Sequence, residues 1–539
     1  MAKKVVSTIL LVCMFVASLA ACAPKTAEVP SDASPVEEAQ PATEEEAAPA
    51  EEAEPVEEVE EAEEPFELVY GAPYDVKTLD PMLSNNRLDM SVLMHIFDFL
   101  GRRDKSGVTQ PDLAESWEQV EPTVWEFKLK EGITFSNGEA LTSEDVAYSM
   151  ERAQDPQFNN FYQLPSQTTL KEVKIIDDYT FQFVTEEPSL TMPFWVAEAL
   201  IIPKDYYSSL SVDEVAEAPV GSGPYVFTEW VKDDHITLER NENYWGDAAA
   251  VDKITFRVIP EQSARLNELL AGNIDIAPSV SLDQAGMVES DVSRLIAMEG
   301  LRKMNFQISQ TGTQEALKDK KVRQALNYAV DKATITETIL SGFTSPLQSY
   351  VNPPNNNPDL EPYSYNPELA KQLLAEAGYA DGFEVTIQAR PNTYGLDKEI
   401  VLAVADYLQA VGVSSKIEFV EQGQFYEALD NKEFKGLAFV GWAALVNPLV
   451  ENLILTCGHI DNGSSYCNPD LDALYDEASV TLDPEARQEL VLQMQELVWD
   501  DAPWIFLWKL PVLFGVSNRI EWEPRNDGYI NTWEAAPAN

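Results

Sequence analysis

The chain carries three histidines, His95, His235 and His459. Histidine is the side chain that most often moves protons near neutral pH. None of the three lies near a serine in a nucleophile-elbow pattern, and no His-Glu-x-x-His pair occurs, so serine-hydrolase and zinc-protease chemistry have no signature here. There is no lysine-bearing phosphate loop. Gly221-Ser222-Gly223 begins like a dinucleotide fingerprint, but Pro224 follows, and proline removes an amide that a phosphate cradle would use. With 91 Asp+Glu in the chain, carboxylate pairs in sequence single out no acid/base couple. An enzyme is therefore not expected, and an extracytoplasmic hydrolase is the enzymatic alternative. No cofactor or metal is expected either.

Four cysteines add one further piece of chemistry. Cys13 and Cys22 lie in the N-terminal segment; Cys457 and Cys467 stand ten residues apart in Cys457-Gly-His459-Ile-Asp-Asn-Gly-Ser-Ser-Tyr-Cys467. The second pair fits a disulfide closing a turn-rich loop, two free thiols, or a three-ligand metal set with His459. The spacing is unlike the Cys-x₂-Cys zinc pattern, and the disulfide is the expectation.

The N-terminus indicates where this chemistry would take place. Lys3 and Lys4 precede a 17-residue apolar run, Val5 to Ala21, in the order of an export signal. Leu19-Ala20-Ala21-Cys22 matches a lipobox, so residues 1–21 read as a signal peptide and Cys22 as a lipidated N-terminus; an uncleaved membrane anchor is the alternative. The expected location is outside the cytoplasm, anchored to a bacterial membrane. Residues 22–65 read as an acidic disordered linker. Between Cys22 and Glu64 stand 16 Asp+Glu and one Lys, and residues 23–65 hold seven prolines and no aromatic. Such a segment cannot bury enough apolar surface to offset its ordering entropy, and its like charges extend it.

The formal net charge of the whole chain is −54. That excludes nucleic acid as a partner, because phosphate binding needs clustered Lys and Arg. The body, 65–539, keeps 75 acids against 34 bases, a balance that would favour cationic or zwitterionic solutes through its field.

The elements of the body alternate. Phe66–Tyr70, Trp125–Leu129, Thr180–Val184, Ile254–Val258 and Phe383–Ile387 read as strands. Helices are expected around Ser91–Leu100 and over Val146–Arg152 behind Thr142, Gln262–Ala271, Asp319–Thr336, Pro367–Ala377 behind Asn366, and Leu396–Val411. Strands alternating with helices at this spacing indicate α/β units.

Several motifs in order resemble the family-5 extracellular solute-binding proteins of ABC importers, the peptide- and nickel-binding group. They are Thr78-Leu79-Asp80-Pro81, Leu113-Ala-Glu-Ser-Trp117, Leu129 to Ser149, Gly221-Ser-Gly-Pro-Tyr225, Arg240-Asn-Glu-Asn-Tyr-Trp245, Val322 to Asp331, Ala377-Gly-Tyr379, Gly441-Trp442 and Tyr466-Cys-Asn-Pro469. The resemblance implies an α/β, two-lobed periplasmic-binding-protein-like fold with an additional inserted domain and hinge closure. Domain I would comprise 66–105, 215–305 and 505–539, domain II 106–214 and domain III 306–504. The expected partners are a small solute, peptide-like by preference, and the membrane subunits of an ABC importer, with the binding protein itself a monomer. The alternatives are a non-peptide solute (an oligosaccharide, an opine-like compound or a metal chelate) and a surface receptor or adhesion module without transport.

The resemblance also names candidate ligand residues. Gln388-Ala389-Arg390-Pro391-Asn392 is similar to a loop that places a guanidinium on a ligand carboxylate in dipeptide-binding members, and Arg suits a bidentate carboxylate clamp. The other reading of Arg390 is a surface arginine at a strand end. Gly441, Trp442 and Ala443 match the segment after which peptide-binding relatives place an Asp for the ligand amine; here Leu445 stands near that position, and an apolar residue cannot compensate a buried ammonium. Trp442 is the expected aromatic wall, with core packing its alternative. Asn85, Asn86 and Arg87 follow the Leu-Asp-Pro loop, and Asn305, Tyr394 and Trp508 complete the set.

Overall fold

Alternating strands and capped helices assemble into two main sheets. The computed structural model describes residues 65–84, 86–105, 107–155, 158, 170–196, 198–312, 314–442 and 446–538. The signal segment, Cys22 and the acidic linker up to 64 lie outside the described residues, as do Asn85 and Ala443.

Among the described residues the larger sheet has ten strands. From one edge they run Val413–Phe419, Phe383–Ala389, Leu437–Trp442, Ser293–Ile308, Trp504–Ser517, Ile276–Pro278, Glu67–Ala72, Lys253–Val258, His235–Arg240 and Tyr225–Val231. Parallel and antiparallel pairs mix: Glu67–Ala72 lies parallel to Lys253–Val258, and Ser293–Ile308 antiparallel to both Leu437–Trp442 and Trp504–Ser517. A second, four-stranded antiparallel sheet holds Ala114–Glu121, Val124–Leu129, Thr180–Thr185 and Leu170–Asp177. The period-2 pattern of Trp125 to Leu129 produces this sheet's buried face, where Phe127, Phe181 and Phe183 pack together.

Two long strands, Ser293–Ile308 and Trp504–Ser517, tie the halves of the large sheet together. The cores divide along them. Phe514 and Val516 join the core built on residues 68–256, while Ile505, Leu507 and Trp508 join the one built on residues 304–439. Between those points the register breaks. Glu299 faces Pro511 and Lys303 faces Lys509, so Gly300, Leu301 and Arg302 oppose one residue and bulge. Gly300 is required there, because a Cβ would come within 2.8 Å of the Leu510 carbonyl oxygen. The strand seam is therefore irregular where the two cores part.

Local chemistry explains most helix boundaries. Thr142 and Asp145 form a reciprocal capping box at the start of Ser143–Gln154. Asn366 caps Pro367–Glu376, and Gly378 follows it with φ +90°. The helix expected over Asp319–Thr336 is instead two, Lys320–Ala329 and Lys332–Thr338. Val330 is extended (φ −97°, ψ 120°), and the Asp331 side chain accepts from the Thr334 amide to cap the second. The helix expected over Ser91–Leu100 begins earlier and ends earlier, at Arg87–Ile96, because Asn86 caps it and Phe97 is already extended.

The glycines of Gly221-Ser-Gly-Pro-Tyr permit a close approach. A Cβ at Gly221 would lie 2.1 Å from the Ile96 carbonyl oxygen, and one at Gly223 2.6 Å from the Ile96 carbonyl carbon. This motif holds the helix Arg87–Ile96 close, with the Gly223 amide donating to the Ile96 carbonyl at 2.9 Å. Tyr244 and Trp245 likewise serve packing, donating to the buried Asp98 at 3.3 and 2.8 Å.

Candidate functional site

Arg390 stands one residue past the strand Phe383–Ala389. A tight loop carries the chain from there into the helix Asp397–Ala410, with Asn392, Gly395 and Leu396 all at positive φ. The Asp397 carboxylate fixes this loop by accepting from the amides of Thr393 and Tyr394, at 2.9 and 3.0 Å. Burial raises the pKa of Asp397, and the two amide bonds act against that rise.

The loop folds Arg390 into an aromatic sleeve. The guanidinium lies over Tyr426 at 4.6 Å and over Tyr394 and Phe425 at 5.2 Å. Only 4% of the residue is exposed. Its Nη2 donates to the Tyr394 hydroxyl at 2.5 Å, and its Nε is enclosed with no acceptor in reach. Among the described residues no carboxylate lies within ion-pair distance of Arg390. A buried cation with unused donors is costly unless an anion completes it.

Tyr394 links Arg390 to the strand Leu437–Trp442. Its oxygen also accepts from the Gly441 amide at 2.9 Å. Burial raises the pKa of its phenol, which leaves the hydroxyl proton in place to donate. Gly441 is squeezed: a Cβ would meet Arg302 Cδ at 2.8 Å and Met304 Sδ and Tyr394 Cε1 at 3.0 Å. The Gly441 carbonyl in turn accepts from Arg302 Nη1 at 3.0 Å. Arg302 therefore reaches the same glycine from the bulge in the long strand.

The remaining candidates separate into two groups. Arg87 opens the helix Arg87–Ile96, donates to the Asp527 carbonyl and lies 4.6 Å over the Tyr529 ring. Asn86 is its N-cap, accepting from the Asp89 amide at 2.9 Å, with an enclosed and unpartnered Nδ2. Both therefore stand beside the segment Asn526 to Tyr529, whose Asn526 carbonyl accepts from the Leu301 amide at 3.1 Å. Trp442 is half-buried, its ring 6.2 Å from Trp504 and packed on the core that includes Leu449 and Phe506.

Asn305 and Trp508 are each 1% exposed. Asn305 donates to the Lys303 carbonyl at 3.4 Å and keeps an unpartnered Oδ1, while Trp508 packs among apolar residues of the second core. Among the described residues no hydrogen bond or ring contact joins either side chain to Arg390, Tyr394 or Gly441, although Asn305 pairs with Val440 next to Gly441 and Tyr394 packs on the core that holds Trp508. Next to the site, Lys303 and Glu451 form a buried ion pair to which Asn352 also donates. Burial raises the Glu451 carboxyl to about 7, against the pull of Lys303.

Sequence reasoning missed Arg302, Tyr426, Tyr529 and the Lys303–Glu451 pair. One signal could have found Arg302: a glycine inside an alternating strand, here Gly300, marks a bulge, and bulges re-aim side chains. The groups brought together here are guanidinia and phenols, although the body as a whole is acidic.

The cysteines are joined. Cys457 and Cys467 form a disulfide with Cα atoms 4.4 Å apart. His459 lies within this loop, and its Nδ1 accepts from the Asp461 amide at 3.2 Å. Among the described residues no cluster of His, Cys, Asp and Glu could hold a metal.

Comparison with known proteins fits this architecture. The profile of the bacterial extracellular solute-binding proteins, family 5 (middle region), matches residues 108–463. The chain belongs to that family. It is 27% identical over 446 residues to the glutathione-binding protein GsiB of Pectobacterium atrosepticum, covering 80% of this chain and 86% of that one. It is 30% identical over 476 residues to the haem-binding protein A of Haemophilus influenzae, covering 79% and 83%. The structure of HbpA2 from Haemophilus parasuis aligns with a TM-score of 0.80 at 24% identity, over 88% of this chain and 100% of that one. The fold is thus the two-lobed periplasmic-binding-protein fold. Family-5 proteins are extracytoplasmic and bring small solutes to the membrane subunits of ABC transporters. Among the described residues, no helix is long and apolar enough to cross a membrane.

Proposed function

We propose that the protein is the lipid-anchored solute-binding subunit of an ABC importer, and that it captures a peptide or peptide-like solute by a carboxylate seated on Arg390. The observation carrying this is the Arg390 guanidinium itself: enclosed, stacked by three aromatic rings, and among the described residues without a carboxylate at ion-pair distance. Such a group is pre-organised for a bidentate carboxylate. Tyr394 holds it in place and Trp442 forms a wall nearby. Glutathione, the solute named for one relative, is a peptide and is a first candidate.

In this reading Cys22 carries the lipid and residues 23–65 hold the body away from the membrane. Domain I comprises 66–105, 215–305 and 505–539, domain II 106–214 and domain III 306–504. The lobes close about the long strands, and the solute shifts the population toward the closed form. The protein acts as a monomer and assigns no catalytic role to any residue.

One observation favours a second reading. The residues after Gly441-Trp442 are Ala443, Ala444 and Leu445, which offer no carboxylate to a ligand amine. A carboxylated solute that is not a peptide fits this, and haem is named for another relative.

A thermal-shift panel separates the readings. A solute at 100 times its Kd adds about 2.7 kcal/mol of stability. Stabilisation by glutathione or by di- and tripeptides, lost in Arg390→Ala, is the expected result. A clear shift with sugars and none with any peptide would reject the peptide reading.

A further inference from the structure

The fourteen arginines of this chain divide by what they touch. Seven lie within ion-pair distance of a carboxylate. Four more, Arg265, Arg294, Arg323 and Arg487, each donate to at least two backbone carbonyls. The remaining three are Arg87, Arg302 and Arg390, and among the described residues each makes one hydrogen bond: to the Asp527 carbonyl, the Gly441 carbonyl and the Tyr394 hydroxyl. A guanidinium has five N–H donors. In a body with 75 acids, the three least-satisfied arginines stand together.

Their proximity rests on geometry. Arg390 and Arg302 are joined through Tyr394 and Gly441, over contacts of 2.5, 2.9 and 3.0 Å. Arg87 leans on the Asp527–Tyr529 segment, and the adjacent Asn526 carbonyl is bonded to the Leu301 amide, next to Arg302. The bulge at Gly300–Arg302 aims that side chain, and the Cβ-free Gly441 makes room for it. The electrostatics agree: burial pushes the Arg302 pKa down, and the charges of Arg87 and Arg390 push it the same way. Among the described residues none of the three has a carboxylate at ion-pair distance; Asp397 and Glu198 act on Arg390 and Arg87 only from further off, so the like charges repel and a ligand with more than one negative group relieves that repulsion.

We infer that the solute carries two carboxylates, one seated on Arg390 and a second held by Arg302 with Arg87. This deepens the proposed function and rests on its placement of the solute at Arg390. The shared chemistry is two carboxylates on one small molecule, whether an acidic peptide or a dicarboxylate without a peptide bond.

Isothermal titration of the full mature protein tests it with three probes: Gly-Glu, Gly-Gln, which lacks the second carboxylate, and glutarate, which lacks the peptide bond. They are titrated into wild type, Arg302→Ala, Arg302→Gln and Arg87→Ala. Thermal melts confirm folding of each variant, and Arg302→Gln keeps a donor for the Gly441 carbonyl if the alanine variant is unstable. The expected result is that wild type prefers Gly-Glu to Gly-Gln by about tenfold to a hundredfold, the worth of one charge-assisted contact. Arg302→Ala and Arg302→Gln bring that ratio close to one, and Arg87→Ala lowers it. Tight binding of glutarate with the same arginine dependence supports the two-carboxylate solute and rejects the peptide part of the proposed function. Equal binding of Gly-Glu and Gly-Gln, unaffected at Arg302, overturns the inference while leaving a carboxylate on Arg390 intact. No heat from any probe overturns it as well.

Discussion

At the scale of single residues, the proposed site rests on a buried cation without an ion-paired carboxylate among the described residues. Arg390 costs the ligand-free protein stability, since a cation is held away from water with an unused Nε. Replacing it by Met should therefore leave the melting temperature of the ligand-free protein unchanged or raise it, while weakening binding of a carboxylated solute about tenfold or more. A large drop in melting temperature would mark Arg390 as structural. His95 shows the opposite arrangement. It is fully buried with both ring nitrogens satisfied, by the Ser91 carbonyl and the Thr532 hydroxyl, and burial lowers its pKa to about 3. Its folded pKa lies below the unfolded value near 6.5, so its stabilising contribution is complete above that pH and is lost as pH falls. Between pH 6.5 and 4.5 this amounts to about 2 to 3 kcal/mol. Urea unfolding of wild type and His95→Gln at the two pH values should show that loss in wild type and not in the variant.

At the scale of elements, the site depends on two irregularities in otherwise regular strands. One is the bulge before Lys303; the other is Gly441, packed between Arg302 and Tyr394. Gly441→Ala would force both side chains away, costing about 1 to 3 kcal/mol of stability and most of the solute affinity; chemical denaturation and titration check the two effects separately. The disulfide loop is a second element with a measurable role. Closing a loop of this length stabilises by about 2 to 3 kcal/mol in the chain-entropy account, so reductant should lower the melting temperature, and mass spectrometry should find two thiols only after reduction.

These elements also show what the sequence could and could not reveal. Thr142 with Asp145, and Asn366 with Gly378, were legible because a cap is a local bond between near neighbours. The break at Val330 was not, because the apolar periodicity runs on through it, and Asp331, a residue that favours caps over helix interiors, was the one local sign of a new start. Arg390 and Arg87 stood out by motif. Arg302 did not, because its position depends on register against Trp504–Ser517, some two hundred residues away in the chain. Asn305 and Trp508 sit on the same two strands yet face the interior; one residue of shift in a strand exchanges the faces, and the bulges that decide it are tertiary features.

At the scale of the whole molecule, charge and function part company. The linker and the body are both acidic, yet the groups gathered where the cores divide are arginines and tyrosines. Net charge speaks for solubility and for the exclusion of nucleic acid; the site is set by contacts a few ångströms long. Closure of the lobes on solute predicts a smaller radius of gyration by X-ray scattering when solute is added, and no change in Arg390→Ala. The most direct test of the central claim is native mass spectrometry of the mature protein purified without denaturation, beside Arg390→Ala. A small carboxylated molecule should travel with the wild type and be absent from the variant. A co-purifying solute without any carboxylate, retained at full occupancy by Arg390→Ala, would contradict it.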